Sequence, residues 1–311
     1  MTALSRQQKT SAPLTQDQLD AFARDGFLLV KGLVPEHERA DVDRDSLELI
    51  ERGKAGPFGD DRWVYREDPE FGNRLCTFRI NQLLAPDMPQ SFRLLLAYPP
   101  LLRAVSQLMG GDLFATSVHS LVFKMPKHGV PAPWHQDPVK VFRYPVFNMD
   151  VYLDAAHPDN GGLWVIPGSH LAGYHNPKHH PDFIQSWTGG RNADAPGAIA
   201  VETEPGDVIF HATTVIHGSF WSRAESLRRT VYYHFDHLAD VALAGDRWPQ
   251  NGFARAHAVT AAAIAERAGL YPAKRPSTTR CSPPRSRHEP DRCTGDCVQR
   301  TRLPPRKRPL R

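Results

Sequence analysis

The apolar period of the chain changes once, near Leu113, and that change limits the folds open to it. Before it, apolar residues recur at helical spacing: Leu19, Phe22 and Ala23, then Val42, Leu47, Leu49 and Ile50, then Leu94, Leu95, Leu101, Leu102, Val105 and Leu108. After it come strand-like runs at 113–126, 146–154, 163–166, 198–202, 207–210, 213–216 and 228–236. Gly, Pro, Asn and Asp separate these runs, as in Pro158-Asp159-Asn160-Gly161-Gly162 and Glu204-Pro205-Gly206-Asp207. Short apolar runs bounded by turn residues read as strands. Helices followed by many short strands predict a mainly β chain, with a helical layer packed on a β-sandwich or small barrel.

Local signals refine this outline. Thr15, with Gln18 three residues on, is a capping box that opens a helix ending at Gly26. Phe27–Val30 reads as a short buried strand, and Pro35 opens a second helix to about Arg52. Residues 53–75 read as irregular. A helix over 89–109 should be interrupted by Pro99-Pro100, because proline removes an N–H and clashes with the preceding turn. A last helix is expected over 253–268. The long 171–197 segment has the character of a loop over a site.

Charge divides the chain further. The net charge of +4 combines a body at −5 with a segment, 273–311, at +9. The expected domains are a disordered 1–13, one domain over 14–272, and a disordered basic Pro/Arg-rich tail over 273–311. The tail holds Cys281, His288, Cys293 and Cys297, whose spacing fits no common zinc module. An acidic body gives no reason to expect nucleic acid as a partner. No apolar run is long enough for a membrane span, and the polar N-terminus lacks a signal peptide. One cysteine in the body, Cys76, argues against a disulfide framework. The expectation is a cytoplasmic protein acting on a small molecule, with its oligomeric state left open.

Chemistry concentrates in Trp134-His135-Gln136-Asp137. On a strand, residues i and i+2 share a face, so His135 and Asp137 can offer an imidazole and a carboxylate to one ion. His217 is the best third ligand, and His211, six residues earlier, is its rival. Two histidines and one carboxylate leave three coordination positions open, the arrangement of non-haem Fe(II) oxygenases, whereas zinc usually has a more closed set. Arg228 follows eleven residues after His217. A guanidinium holds a carboxylate by two parallel hydrogen bonds, which suits the distal end of 2-oxoglutarate chelating such a metal. Arg228 and Arg229 face opposite ways on a strand, and Arg228 is favoured. Arg79, Asn81 and Gln82 either face the pocket or form a polar strand edge. His170 reads as a turn residue, His179 and His180 as solvated, and Trp134 and Trp164 as packing.

Several ordered segments together resemble the phytanoyl-CoA dioxygenase family of Fe(II)/2-oxoglutarate oxygenases, over roughly 15–270. They are Phe22–Leu33, Trp134–Asp137, Asn160–His170, Glu204–Phe210, His217-Gly218-Ser219 and Arg228. The resemblance implies a double-stranded β-helix, a jelly-roll or cupin-like barrel with flanking helices. It implies His135, Asp137 and His217 as catalytic iron ligands. It also implies Arg228 as the 2-oxoglutarate anchor, with Ser219 and Lys124 beside it, and Fe(II), 2-oxoglutarate and O2 as cofactors. Asp150 departs from the pattern, standing where many relatives carry a tryptophan near the co-substrate. Arg79, Asn81 and Asp150 are the substrate-facing expectations. Related halogenases have a small residue in the place of Asp137, so a carboxylate there favours hydroxylation. The alternatives are a cupin-type metal-dependent isomerase or hydrolase, and a non-catalytic ligand-binding barrel.

Overall fold

The computed structural model describes residues 13–69, 72–138, 143–244 and 252–272. Thr15 caps helix α1 (Gln16–Asp25) through the reciprocal pair with Gln18, and Gly26 ends it at φ +80°, a left-handed turn that favours glycine. Strand β1 (Phe27–Val30) and helix α2 (Glu36–Gly53) follow. The segment read as irregular then forms a hairpin, β2 (Trp63–Asp68) and β3 (Arg74–Asn81). Its pattern is hard to read because β2 is a sheet edge with a bulge between Val64 and Tyr65, so charged side chains interrupt the alternation. The expected interruption by Pro99-Pro100 divides the next helical stretch into α3 (Gln90–Leu96) and α4 (Pro99–Met109), with proline in the first turn of α4.

The β region continues with β4 (Phe114–Lys124), β5 (Ala132–His135), β6 (Phe147–Tyr152) and β7 (Leu163–Ile166). A short helix, α5 (Phe183–Thr188), lies inside the expected loop. Then come β8 (Ile199–Val201), β9 (Val208–Ala212), β10 (Ile216–Ser219) and β11 (Arg228–His237). The run read as a strand at 213–216 is mostly a turn. Val215 N–H donates to Ala212 O at 3.0 Å, and β10 begins only at Ile216. Three β-branched residues there outweigh the turn in any propensity reading. Helix α6 (Leu238–Ala244), which the sequence did not announce, and helix α7 (Gly252–Leu270) complete the described chain.

All strand pairs are antiparallel. One sheet runs β1-β9-β6-β11-β4-β3-β2 and the other β5-β10-β7-β8. This is the double-stranded β-helix that the resemblance implies. Helix α3 packs on α2 and α7, and α7 packs on β4. Phe92, Leu95, Leu96, Leu101 and Val105 join Phe123, Phe147 and Tyr233 in one core. Burying each such side chain contributes roughly 1.5–3 kcal/mol. Strand β11 shows how alternation serves two purposes. Tyr233 is buried against the helices and donates to Phe92 O at 2.7 Å, while Arg228, Thr230 and Tyr232 line a cavity on the other side.

The described residues all belong to the unit Met1–Pro272. The expectations for 1–12 and for 273–311, including the tail cysteines and His288, fall outside the described residues. Among the described residues, no helix is long and apolar enough to cross a membrane.

Candidate metal centre

Strands β5 and β10 pair directly at His135 and His217, which places their rings 4.2 Å apart. Each ring is oriented by its own backbone. His135 Nδ1 donates to Pro133 O at 2.7 Å and His217 Nδ1 to Val215 O at 2.9 Å. A carbonyl only accepts, so the proton sits on Nδ1 and the Nε2 lone pairs are left for a metal. Asp137 lies two residues past His135, just beyond the end of β5. It is therefore not held by the strand alternation expected. Its N–H instead donates to Thr213 O at 2.8 Å, in the turn before β10. Its Oδ1 lies 3.6 Å from His135 Nε2 and its Oδ2 3.8 Å from His217 Nε2. The three donor atoms all fall within 4.8 Å of one another.

Two nitrogens and one carboxylate oxygen on one side suit Fe(II) with open positions. The local charges agree with that use. Burial and the neighbouring His135 push His217 down to about 3, so its imidazole is neutral. Burial opposes ionisation of Asp137, yet its contacts with His135 and His217 hold the carboxyl well below its usual range.

Asn148 on β6 donates from Nδ2 to Asp137 Oδ2 at 2.7 Å. Its Oδ1 accepts from Tyr232 OH and from His234 Nδ1, both at 2.8 Å. Gln136 is engaged away from the triad. It donates to Thr214 O at 2.6 Å and to Gly173 O at 2.8 Å, and accepts from His175 N, tying the long loop to the metal strand. Neither amide was singled out from sequence, because a buried amide carries no spacing signal of its own. His211, the rival ligand, is instead 3.1 Å from Asp150 Oδ2. Its ring packs 4.6 Å from that of His217, and His211 and Asp150 together occupy the cavity wall.

Arg228 and Arg229 separate as alternation requires. Arg229 turns outward to Asp154 at 2.6 Å and to Ser46 on α2 at 2.8 Å. Arg228 turns inward, where Nη1 donates to Thr230 Oγ1 at 2.9 Å and Nη2 to Gly161 O at 2.6 Å. It is 5% exposed, its Nε has no partner, and among the described residues no carboxylate pairs with it. A buried guanidinium with an unmet donor is costly unless an anion completes it, which is the fit expected for a co-substrate carboxylate. Ser219 donates to Gly161 O at 2.7 Å and lies 3.4 Å from Arg228 Nη2. Lys124 Nζ donates to the carbonyls of Val130 and Phe220 at 2.5 and 3.1 Å. Burial, with the cations of Arg228 and Arg66, pushes it down to about 6.

One cavity of about 170 Å³ is lined by the triad, Arg228, Ser219, Lys124, Asp150 and Arg79. Asn81 is not part of it. It lines a wider groove of about 670 Å³ that shares Arg66, Phe78 and Arg79 with the cavity. His170 Nε2 donates to Ala23 O at the α1 end, 3.1 Å away, and its ring packs over Gly26, while His179 and His180 are exposed. Trp134 packs on Phe220 and donates to Arg191 O at 3.0 Å. A second grouping, Asp68, Cys76 and His128, also brings three donors together. There Asp68 already pairs with Arg223 at 2.9 Å, and burial and Asp68 push the Cys76 thiol up.

Comparison with known proteins bears on the family and the fold. A family model described as phytanoyl-CoA dioxygenase (PhyH) matches residues 22–230. A probable phytanoyl-CoA dioxygenase of Caenorhabditis elegans is 27% identical over 249 residues, spanning 71% of this chain and 75% of its own. The crystal structure of AviO1 from Streptomyces viridochromogenes Tue57 superposes with a TM-score of 0.60 at 26% identity, covering 70% of this chain and 93% of that one. EctD from S. alaskensis, solved with bound Fe, has a TM-score of 0.57 at 23% identity, covering 74% and 79%, and shares the fold.

Proposed function

The chain belongs to the phytanoyl-CoA dioxygenase family of Fe(II)/2-oxoglutarate-dependent oxygenases, and on that premise we propose that it hydroxylates an aliphatic C–H bond of a small metabolite in the cytoplasm, with release of succinate and CO2. His135, Asp137 and His217 hold Fe(II), and Arg228 holds the distal carboxylate of 2-oxoglutarate, with Ser219 and Lys124 beside it. The observation that carries this reading is the Arg228 guanidinium. It is buried, has an unmet Nε and no carboxylate partner among the described residues, and its side chain lines the same cavity as the triad. A hydrolase or isomerase built on the same barrel gives this group no role as a co-substrate anchor.

Bound iron, with 2-oxoglutarate and O2, supplies the oxidation. The chain's own residues supply position and exclusion. The carbonyls of Pro133 and Val215 keep both imidazoles in the ligating tautomer. Asn148 holds the Asp137 carboxylate in place, where it would serve as the third ligand beside the two histidines. Phe78, Val122 and Tyr232 wall the cavity and would limit the access of bulk water to a metal held by the triad.

The test is anaerobic titration of the purified protein with Fe(II) and 2-oxoglutarate. A metal-to-ligand charge-transfer band should form in wild type and be absent in Asp137→Ala and His217→Ala. A wild-type protein that forms no band overturns the reading.

A further inference from the structure

The cavity beside the triad, at about 170 Å³, is smaller than the ~300–1,000 Å³ usual for a small-molecule site. The adjoining groove, at about 670 Å³, falls within that range, and the two share Arg66, Phe78 and Arg79. The groove is the space available to a substrate, and its charge is one-sided. Arg66 and Arg79 stand on its β2–β3 wall and Arg255 on α7, and no Asp or Glu is among its described lining residues.

Eight of the seventeen described arginines pair closely with a carboxylate. Arg24, Arg39, Arg44, Arg62, Arg93, Arg223, Arg229 and Arg267 all sit within 3 Å of a carboxylate. The three groove arginines do not. Arg66 donates from Nη1 to Pro131 O at 2.5 Å and lies over the Phe78 ring at 4.8 Å. Arg79 is held by Ser120 Oγ at 2.9 Å and Asn81 Oδ1 at 2.8 Å, over the Tyr232 ring at 5.4 Å. Its Nη1 donates to nothing among the described residues. Arg255 is exposed and has no hydrogen bond or ion pair among them. A solitary unmatched arginine on a surface is ordinary, and Arg103 is one. Three around one concave site, two of them held by a backbone carbonyl, neutral side chains and aromatic faces, are an oriented set of forks for an oxyanion. His119 adds no acid to oppose them. Leu84 N–H donates to its Nδ1 at 3.3 Å, and burial pushes its pKa down to about 4, so it is a neutral imidazole.

We infer that the substrate of this oxygenase is an anion, whose carboxylate, phosphate or sulfate group is held in the outer groove by Arg79, Arg66 and Arg255 while its reacting carbon enters past Phe78 toward the triad. This inference rests on the oxygenase reading and adds the substrate class to it. The walls divide accordingly. The guanidinium forks meet the anionic end, and the rings of Phe78 and Tyr232 meet the apolar carbon that reacts.

The test uses the full chain loaded with Fe(II) and 2-oxoglutarate under anaerobic conditions, titrated by calorimetry with sulfate and, separately, with acetate. Saturable binding of at least one probe is expected. Its affinity should fall tenfold or more in Arg79→Gln/Arg255→Gln, and by at least threefold in Arg255→Gln alone. That single change is at an exposed side chain that makes no internal bond. Arg103→Gln, an unmatched arginine on the opposite side of α7, should leave it unchanged. Preference for sulfate indicates a phosphate or sulfate ester, and preference for acetate indicates a carboxylic acid. The inference fails if neither probe binds wild type, if the double variant binds as wild type does, or if Arg103→Gln loses as much. In each of those cases an intact charge-transfer band leaves the oxygenase reading standing, and only loss of the band in wild type removes both.

Discussion

A single side-chain amide decides where the Asp137 carboxylate points. Asn148 Nδ2 can serve Asp137 only because its Oδ1 is already fixed by Tyr232 and His234. Outer partners of this kind typically tune metal affinity by about 10–100-fold. Asn148→Ala should therefore weaken Fe(II) binding by roughly that factor, measured by competition with a chelator. It should also lower stability by roughly 1–3 kcal/mol, because Tyr232 OH and His234 Nδ1 lose a buried partner. Arg228→Ala should act differently. Metal binding should persist, whereas 2-oxoglutarate affinity should fall roughly 10–100-fold, the loss of about 1.5–3 kcal/mol for a hydrogen bond to a charged group. Titration of the charge-transfer band with 2-oxoglutarate measures it, and equal affinity in the variant would remove the assigned role. The contrast shows what a sequence makes visible at this scale. His-x-Asp at 135 and 137 is a weak signal alone, and His217 over His211 and Arg228 over Arg229 gain weight only with the ordered motifs around them. Asn148 and Gln136 give no signal, since any polar residue on a strand can be buried or solvated until the opposing strand is known.

Among elements, the fold was easiest to read where one face meets the core and hardest where charge interrupts the pattern. Helix α1 carries both its start and its stop signal in sequence, and the break before α4 follows from proline chemistry alone. Hairpin β2–β3 was missed because it borders the charged groove and carries Arg66, Glu67, Arg74 and Arg79 among its apolar residues. Helix α7 closes the other side of that groove and is joined to α3 by polar contacts. Glu266 accepts from Arg93 at 2.7 Å and from Gln90 at 2.6 Å. The hydrogen bond from Arg93, against a smaller opposing effect of burial, lowers the Glu266 pKa below its ordinary 4.5. A lowered folded-state pKa adds stability above the unfolded value, and that addition disappears as pH falls through the folded one. Wild type should therefore melt slightly above Glu266→Gln at neutral pH, by the equivalent of roughly 0.5–1 kcal/mol for a partly exposed pair. The difference should shrink as pH falls below 4.5 and vanish once the folded-state carboxyl is protonated. Paired thermal melts across pH 3–7 read it directly, and a gap that persists at pH 3 would point to packing rather than charge.

For the whole molecule, the net charge of +4 describes neither of its parts. The residues through Pro272 carry −5, and 273–311 carry +9. Cavity residues all lie between Arg66 and Tyr232, and the outer groove extends only to Val259 on α7, which itself ends at Leu270. The cationic groove is thus a local feature of an acidic body, invisible in the overall sum. Local arrangement governs which anion a pocket selects, while net charge acts on solubility and non-specific association. A chain truncated after Pro272 should accordingly form the same charge-transfer band, with 2-oxoglutarate affinity within twofold of the full chain and sulfate or acetate affinity equally preserved. Its non-specific retention on a cation-exchange matrix at pH 7 should disappear, because the remaining charge is negative. The two readouts separate site from tail. Loss of the band on truncation would show that 273–311 contributes to the metal centre. Loss of oxyanion binding with the band intact would transfer the cationic recognition from Arg66, Arg79 and Arg255 to the twelve lysines and arginines of the tail.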